Sequence, residues 1–187
     1  MYLEKVQKVF KIIGVFAKVF MILSYVCGGL AIAFGIFALA GTGEVLFKIG
    51  SVNIIAPIIV DTTENIKPEC VAAIADGVAE LFAGAILSFA VRYFSIEQKE
   101  GNPFTDNGAD ALKKLGIMTI ILSVVSAAVQ TAIFAAFKLL DTATVSNGPE
   151  VFTGLLIILF AVVVRYGAEL RKNTAEKPAE LETEKAE

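Results

Sequence analysis

The stretch Gly101-Asn102-Pro103-Phe104-Thr105-Asp106-Asn107 divides the chain into two halves. Two long apolar runs precede it and two follow it, and it is the most polar segment between the first and the last of them. Gly101 and Pro103 end the preceding helix, because proline lacks an N–H and disfavours helical geometry at the residue before it. Thr105 or Asn107 can then cap a new helix. The stretch therefore predicts a turn between the second and third of four long helices.

The four apolar runs indicate a membrane protein. The chain has 187 residues, of which 56% are hydrophobic, against roughly 45–50% in soluble domains. Its mean hydropathy is +0.73. About 20 apolar residues cross a typical bilayer, and the runs fit spans at about 19–40, 71–94, 115–137 and 151–170. We expect an all-α integral membrane protein, a four-helix transmembrane bundle that forms one domain over residues 1–172. The polar tail, 173–187, is expected to be disordered or a frayed helix.

Two segments outside the spans each allow two structural interpretations. In residues 2–18, lysines and Glu4 fall on one helical face and apolar residues on the other. This pattern favours an amphipathic helix in the membrane interface, or else the charged flank of the first span. Residues 44–60 are apolar and β-branched around Gly50-Ser51, which predicts a small extracytoplasmic cap, either a β-hairpin or a re-entrant segment.

The basic residues predict the orientation. Thirteen of the 16 lie before the first span, around the central turn or after the last span. Because cytoplasmic loops are enriched in Lys and Arg, both termini and the turn are expected in the cytoplasm. Arg92 and Arg165, each followed by a tyrosine, are predicted anchors at the cytoplasmic interface.

Three polar residues in the spans suggest a second function. Asp76 and Glu80 lie one turn apart on the second span, and Gln130 lies in the third. At about 1.5 Å per residue, they could meet at one depth and form an intramembrane polar cluster. Such groups often mark ion or substrate pathways. Alternatively, the second span begins late and both acids lie among the outer headgroups.

The composition argues against an enzyme. The chain has no histidine, no paired-cysteine metal motif and no glycine-rich phosphate loop. Cys27 and Cys70 are expected to be structural. The net charge of −3 does not favour direct nucleic-acid binding. We therefore expect no catalytic residue, metal or cofactor.

The motifs around the central turn and the last span carry a family resemblance. Gly101-x-Pro103-Phe104-Thr105, then Leu112-Lys113-Lys114-Leu115-Gly116, and finally Arg165-Tyr166-Gly167-Ala168-Glu169-Leu170 resemble the bacterial membrane family catalogued as domain of unknown function 2975. The resemblance implies four spans, the bacterial cytoplasmic membrane, and a small helix-turn-helix regulator as a partner. The family has a Glu-Asn pair where this chain has Asn107-Gly108.

These features together predict a non-enzymatic regulatory, signalling or immunity-type membrane protein that acts through its cytoplasmic loop and tail. Its partners would be the bilayer and the helix-turn-helix regulator or another membrane protein, with a homo-oligomer as an open alternative. A small transporter or channel that uses Asp76 and Glu80 is the alternative function. Phe104 must bury its ring against the bundle or a partner. The candidate cytoplasmic motif comprises Gly101, Pro103, Phe104, Thr105, Lys113 and Lys114.

Overall fold

All regular structure that the computed structural model describes is helical. It describes residues 2–39, 67–101, 104–142 and 148–184. The helices are α1 (Tyr2–Leu39), α2 (Lys67–Glu100), α3 (Asp106–Ala136) and α4 (Gly148–Glu184), with a 3₁₀ turn at Leu140–Thr142. Within these ranges, all four α-helices are long and apolar enough to cross a membrane, which confirms the expectation of four long apolar helices in an all-α structure. Those ranges contain no strand, and the predicted cap at 44–60 lies outside them.

The N-terminal helix and the first span are one element. Helix α1 runs without a break from Tyr2 to Leu39, so residues 2–18 are the charged start of the first long helix rather than a separate helix. No proline or glycine pair separates the two parts, and a lone Gly14 is tolerated inside a long helix. At the other end of the chain, α4 continues to Glu184 and includes most of the polar tail.

Small residues occupy the buried positions described on α1 and α4, and most of them are spaced by seven or fourteen residues. The buried residues of α4 within 149–174 are Gly154, Ala161 and Ala168. On α1, three of the four buried positions within 7–39 are Gly14, Gly28 and Gly35, all multiples of seven. A seven-residue period keeps one stripe of a helix against its neighbour, and small residues in that stripe let two backbones approach closely.

Two pairs of glycines make close, reciprocal contacts between helices. A methyl group on Gly28 would lie 2.7 Å from the carbonyl oxygen of Gly77 on α2, and one on Gly77 would lie 2.7 Å from the carbonyl oxygen of Gly28. Gly116 on α3 and Gly154 on α4 make the same reciprocal contact, at 2.8 and 2.9 Å. At each crossing a side chain would meet backbone that cannot move aside, so these helix pairs depend on glycine.

The chain forms two compact units. One comprises Leu23–Ala83 and Val125–Ser146, and its core contains Val71, Ala75 and Phe134. Here α3 ends in a Schellman motif, in which the N–H of Leu139 donates to the Phe134 carbonyl at 2.9 Å and Lys138 has a φ of 59°. The other unit comprises Met1–Ile22, Gly84–Val124 and Asn147–Glu187, and it contains the candidate site.

The outward faces of α1 and α4 are apolar. Large side chains there are more than half exposed, including Phe16, Leu30, Phe152, Phe160 and Val162. Soluble monomers rarely expose apolar patches larger than a few hundred Å², whereas a lipid-facing helix presents such a face along its whole length.

Candidate functional site

The turn between α2 and α3 begins with a left-handed glycine. Gly101 has a φ of +66°, and its N–H donates to the Glu97 carbonyl at 3.0 Å, which is the helix-ending motif that glycine favours. The Gln7 side-chain amide donates to the Gly101 carbonyl at 3.4 Å. A methyl group on Gly101 would lie 2.6 Å from that amide nitrogen. Pro103 of the predicted motif lies outside the described residues.

Thr105 is the cap of α3. Its hydroxyl oxygen accepts from the Gly108 N–H at 3.0 Å, and its carbonyl accepts from the Ala109 N–H at 3.0 Å. This satisfies two donors at the start of the helix, as an N-cap residue does. Asn107, the other predicted cap, instead donates its side-chain amide to Glu100 Oε1 at 2.6 Å.

A buried carboxyl from α2 lies against the first turn of α3. Glu97 is 1% exposed, the largest of the fully buried side chains. Its Oε1 occupies the space that a side chain on Gly108 would need. Tyr93, one turn earlier on α2, interacts with the same carboxyl, although neither carboxyl oxygen has hydrogen-bonding geometry to a described donor. Glu97 thus places its acid beside the first turn of α3, where burial and the neighbouring Glu100 carboxylate raise its pKa to about 7.

The position of Glu97 corresponds to half of a capping box. In that motif a Ser or Thr caps the helix and a Glu or Gln three residues later turns back toward the cap. Here Thr105 is the cap, but Gly108 occupies the third position. The Glu97 side chain of α2 occupies the space that this acid would fill, without accepting its hydrogen bond. The absence of a side chain at Gly108 therefore lets α2 and α3 lie close together.

The start of α3 packs against the polar half of α4. The Phe104 ring lies over Gly167, where an added methyl group would be 2.5 Å from Cδ1 of the ring. Asp110 accepts from Arg165 at 3.0 Å, and Asp106 accepts from Lys172. We call this set the α3–α4 surface: Phe104, Asp106, Asp110, Arg165, Gly167 and Lys172.

The α3–α4 surface joins the two motifs that carry the family resemblance. More than 50 residues separate Phe104 from Gly167 and Asp110 from Arg165. Phe104 is 44% exposed, so its side chain packs against Gly167 and still keeps a large accessible area. Both ion pairs are exposed, and such pairs contribute only about 0–1 kcal/mol each. The ring and its glycine therefore fix the surface more firmly than the charges do.

The predicted basic residues take different positions. Arg165 belongs to the α3–α4 surface. Arg92 and Lys114 line a groove between α2 and α3, and the Lys114 ammonium lies 5.9 Å from the centre of the Phe89 ring. Lys113 is exposed and does not line this groove.

The residues of the predicted polar cluster differ in exposure. Asp76 and Glu80 are exposed on α2, whereas Gln130 is buried on α3. Gln130 donates to the Ser126 hydroxyl at 3.1 Å. No hydrogen bond or ion pair joins Gln130 to either acid among the described residues. Buried polar residues continue along α3 at Thr119 and Ser123, which makes a polar stripe on its inner face.

Sequence reasoning missed Glu97, Gly108, Asp106, Asp110 and Lys172. For Glu97 one signal was present, because a threonine cap followed by glycine at the third helical position lacks the acid that usually completes the motif. Nothing in one sequence says that the acid comes from the preceding helix. The partners of Asp106 and Asp110 carry no sequence signal, since an acid near a helix start is common without any partner.

Comparison with known proteins finds no match for this chain among protein-family models, curated proteins or solved structures. The family resemblance of the motifs therefore stays a prediction.

Proposed function

We propose that this chain is a non-enzymatic, multi-pass protein of the bacterial cytoplasmic membrane, with a regulatory, signalling or immunity-type role, and that it acts by docking a cytoplasmic protein on the α3–α4 surface. The observation that carries the proposal is the Phe104 ring. It packs against Gly167 and is 44% exposed, and the helices that hold it, α3 and α4, are also joined by two exposed ion pairs. Rigid aromatic residues with a polar rim are typical of binding hot spots.

Membrane insertion is supported by the four apolar helices and their exposed apolar faces. The distribution of basic residues supports an orientation with the α2–α3 turn and both termini in the cytoplasm. The α3–α4 surface would then face the cytoplasm, where a soluble partner can reach it.

Thiol labelling tests this orientation. Single cysteines are introduced at Asn65 and Asn173, in a background where Cys27 and Cys70 are replaced by alanine. We expect a membrane-impermeant reagent to label position 65 in intact cells and position 173 only after the cells are opened, because the bilayer shields the cytoplasmic side. Labelling of position 173 in intact cells would reverse the orientation and remove the argument for a cytoplasmic partner.

The nature of the partner follows from the surface and the resemblance. A half-exposed ring with charges of both signs around it suits a folded protein better than nucleic acid, which requires a strongly basic face. The resemblance implies a small helix-turn-helix regulator, and a second membrane protein is the alternative. Either partner would use Phe104 as the central contact.

Phe104→Ala separates docking from internal packing. Because the ring is half exposed, we expect a loss of about 1–2 kcal/mol in unfolding free energy, below the roughly 3–5 kcal/mol of a fully buried ring. We also expect the loss of a cytoplasmic partner in quantitative co-purification from the native membrane. Unfolding in detergent and mass spectrometry of the co-purified proteins measure the two effects.

Two further variants make this result specific. Gly167→Ala keeps the ring but displaces it, so it should also lose the partner. Phe152→Ala removes an exposed ring near the opposite end of the apolar part of α4 and should keep the partner. If Phe104→Ala and Phe152→Ala co-purify with the same proteins as the unaltered chain, the α3–α4 surface is not the docking site.

The transporter alternative stays a prediction with one observation in its favour. The inner face of α3 carries the polar stripe that ends at Gln130, and polar groups on inner faces often line pathways. Asp76 and Glu80, in contrast, are exposed on α2, and the late start of the second span stays a prediction. Ion flux through reconstituted vesicles, compared with a Glu80→Gln variant, distinguishes the two functions.

A further inference from the structure

A groove between the end of α2 and the start of α3 has a cationic rim and an apolar floor. Its volume is about 360 Å³. The cations are Arg92 and Lys99 on α2 and Lys114 on α3, all three exposed. Phe89, Ile96 and Ala111 form the apolar part of the lining. The groove therefore combines the two chemistries of a phospholipid, which has a charged phosphate and an apolar chain.

The charges of the groove favour an anion. Of its two acids, Asp110 accepts from Arg165 at 3.0 Å. Glu100 accepts from Asn107 at 2.6 Å through Oε1, while its Oε2 has no hydrogen-bond partner among the described residues. Neither Arg92 nor Lys99 has an ion pair with a described residue. The rim thus holds three cations against two acids, and Arg165 adds a further positive charge beside Asp110.

The position of the groove indicates which anion binds. Arg92 follows the charge-free run 81–91 of α2, so the cations begin where the apolar helix ends. Phe89 and Ile96, one turn to each side of Arg92, are half-buried and connect the rim to that apolar surface. A free phosphate would contact the cations alone, whereas a phospholipid would also contact the apolar residues of the groove.

We propose that this groove binds the headgroup of an anionic phospholipid, with the phosphate among Arg92, Lys99 and Lys114 and an acyl chain along Phe89. The inference rests on the membrane location in the proposed function. Under the proposed orientation the groove faces the cytoplasmic leaflet, where basic sites between membrane helices bind anionic lipids. The groove is separate from the α3–α4 surface except for Asp110, which the two share.

The test measures lipid binding to the purified full-length protein. Phosphatidylglycerol, phosphatidylcholine and inorganic phosphate are each added in detergent, and thermal unfolding and native mass spectrometry report binding. We expect phosphatidylglycerol to raise the unfolding temperature, because a ligand that binds only the folded state stabilises it. Phosphatidylcholine and inorganic phosphate should raise it little. An equal effect of inorganic phosphate would show a simple anion site and overturn the assignment to lipid.

A pair of neighbouring lysines provides the matched control. Lys114→Gln and Lys99→Gln each remove a cation from the groove, and each should weaken phosphatidylglycerol binding about fivefold. Lys113→Gln makes the same charge change one residue away, outside the groove, and should leave binding unchanged. Equal losses in Lys113→Gln and Lys114→Gln would show diffuse attraction and overturn the proposal. If phosphatidylglycerol does not bind the unaltered chain while its partner still co-purifies, the lipid site alone is refuted. If phosphatidylglycerol binds but no partner co-purifies with the unaltered chain, docking alone is refuted.

Discussion

Gly28→Ala is expected to lower the unfolding free energy by about 1–3 kcal/mol, while Gly29→Ala one position away leaves it unchanged or slightly raised. The added methyl group at position 28 would lie 2.7 Å from the Gly77 carbonyl oxygen and 3.1 Å from the side chains of Glu80 and Leu81. At position 29 nothing lies within 4 Å of it. Thermal unfolding of the two variants in the same detergent measures the difference.

The higher helix propensity of alanine makes the comparison of Gly28→Ala with Gly29→Ala more informative. In an exposed helix interior, alanine is favoured over glycine by about 1 kcal/mol, so local propensity alone predicts a gain at both positions. If the unfolding free energy falls for Gly28→Ala but not for Gly29→Ala, the contact between α1 and α2 is therefore the cause. Equal gains at both positions would mean that the two backbones do not cross at Gly28 and Gly77.

Gly108→Ala is expected to lower the unfolding free energy by about 1–3 kcal/mol, because the new methyl group competes with the buried Glu97 carboxyl for one space. A double-mutant cycle identifies the cause. In a Glu97→Ala background the space is free, so Gly108→Ala should cost little or become stabilising. In a Glu97→Gln background the side chain keeps its shape, and the full cost should remain. Unfolding in detergent of the single and double variants gives the coupling energy.

Two results would contradict this arrangement. If Gly108→Ala stabilises the protein as helix propensity predicts, Glu97 does not occupy the space beside it. If Glu97→Ala and Glu97→Gln relieve the cost equally, the charge of Glu97 matters rather than its volume.

The elements of the fold could be predicted from the sequence, because each depends on residues close together in the chain. Four long apolar runs gave four long helices, and the left-handed Gly101 and the cap at Thr105 follow from local backbone chemistry. The prediction of a separate helix over residues 2–18 was wrong, because these residues and the first span form one continuous helix. A change in the polarity of a helix face does not end the helix unless a residue also breaks its backbone.

The candidate site could not be predicted in the same way. Its contacts join residues far apart, as in Phe104 with Gly167 and Asp106 with Lys172. Periodicity shows which residues share a helix face, but it does not show which helix lies opposite. For Glu97, an acid in a polar turn also looks like an ordinary solvated residue until its burial is known.

The α3–α4 pair combines two kinds of contact that respond differently to ionic strength. Gly116 and Gly154 bring the apolar parts of the helices together by backbone contact, which added salt leaves in place. Beyond them, the pairs Asp110–Arg165 and Asp106–Lys172 are exposed, and at 1 M salt the screening length falls to about 3 Å. High salt should therefore weaken the two ion pairs, while the glycine crossing and the Phe104–Gly167 contact, which carry no charge, stay in place. The two helices would then keep their spacing over a wide range of electrolyte concentration, because uncharged contacts hold both the apolar and the polar part of the pair.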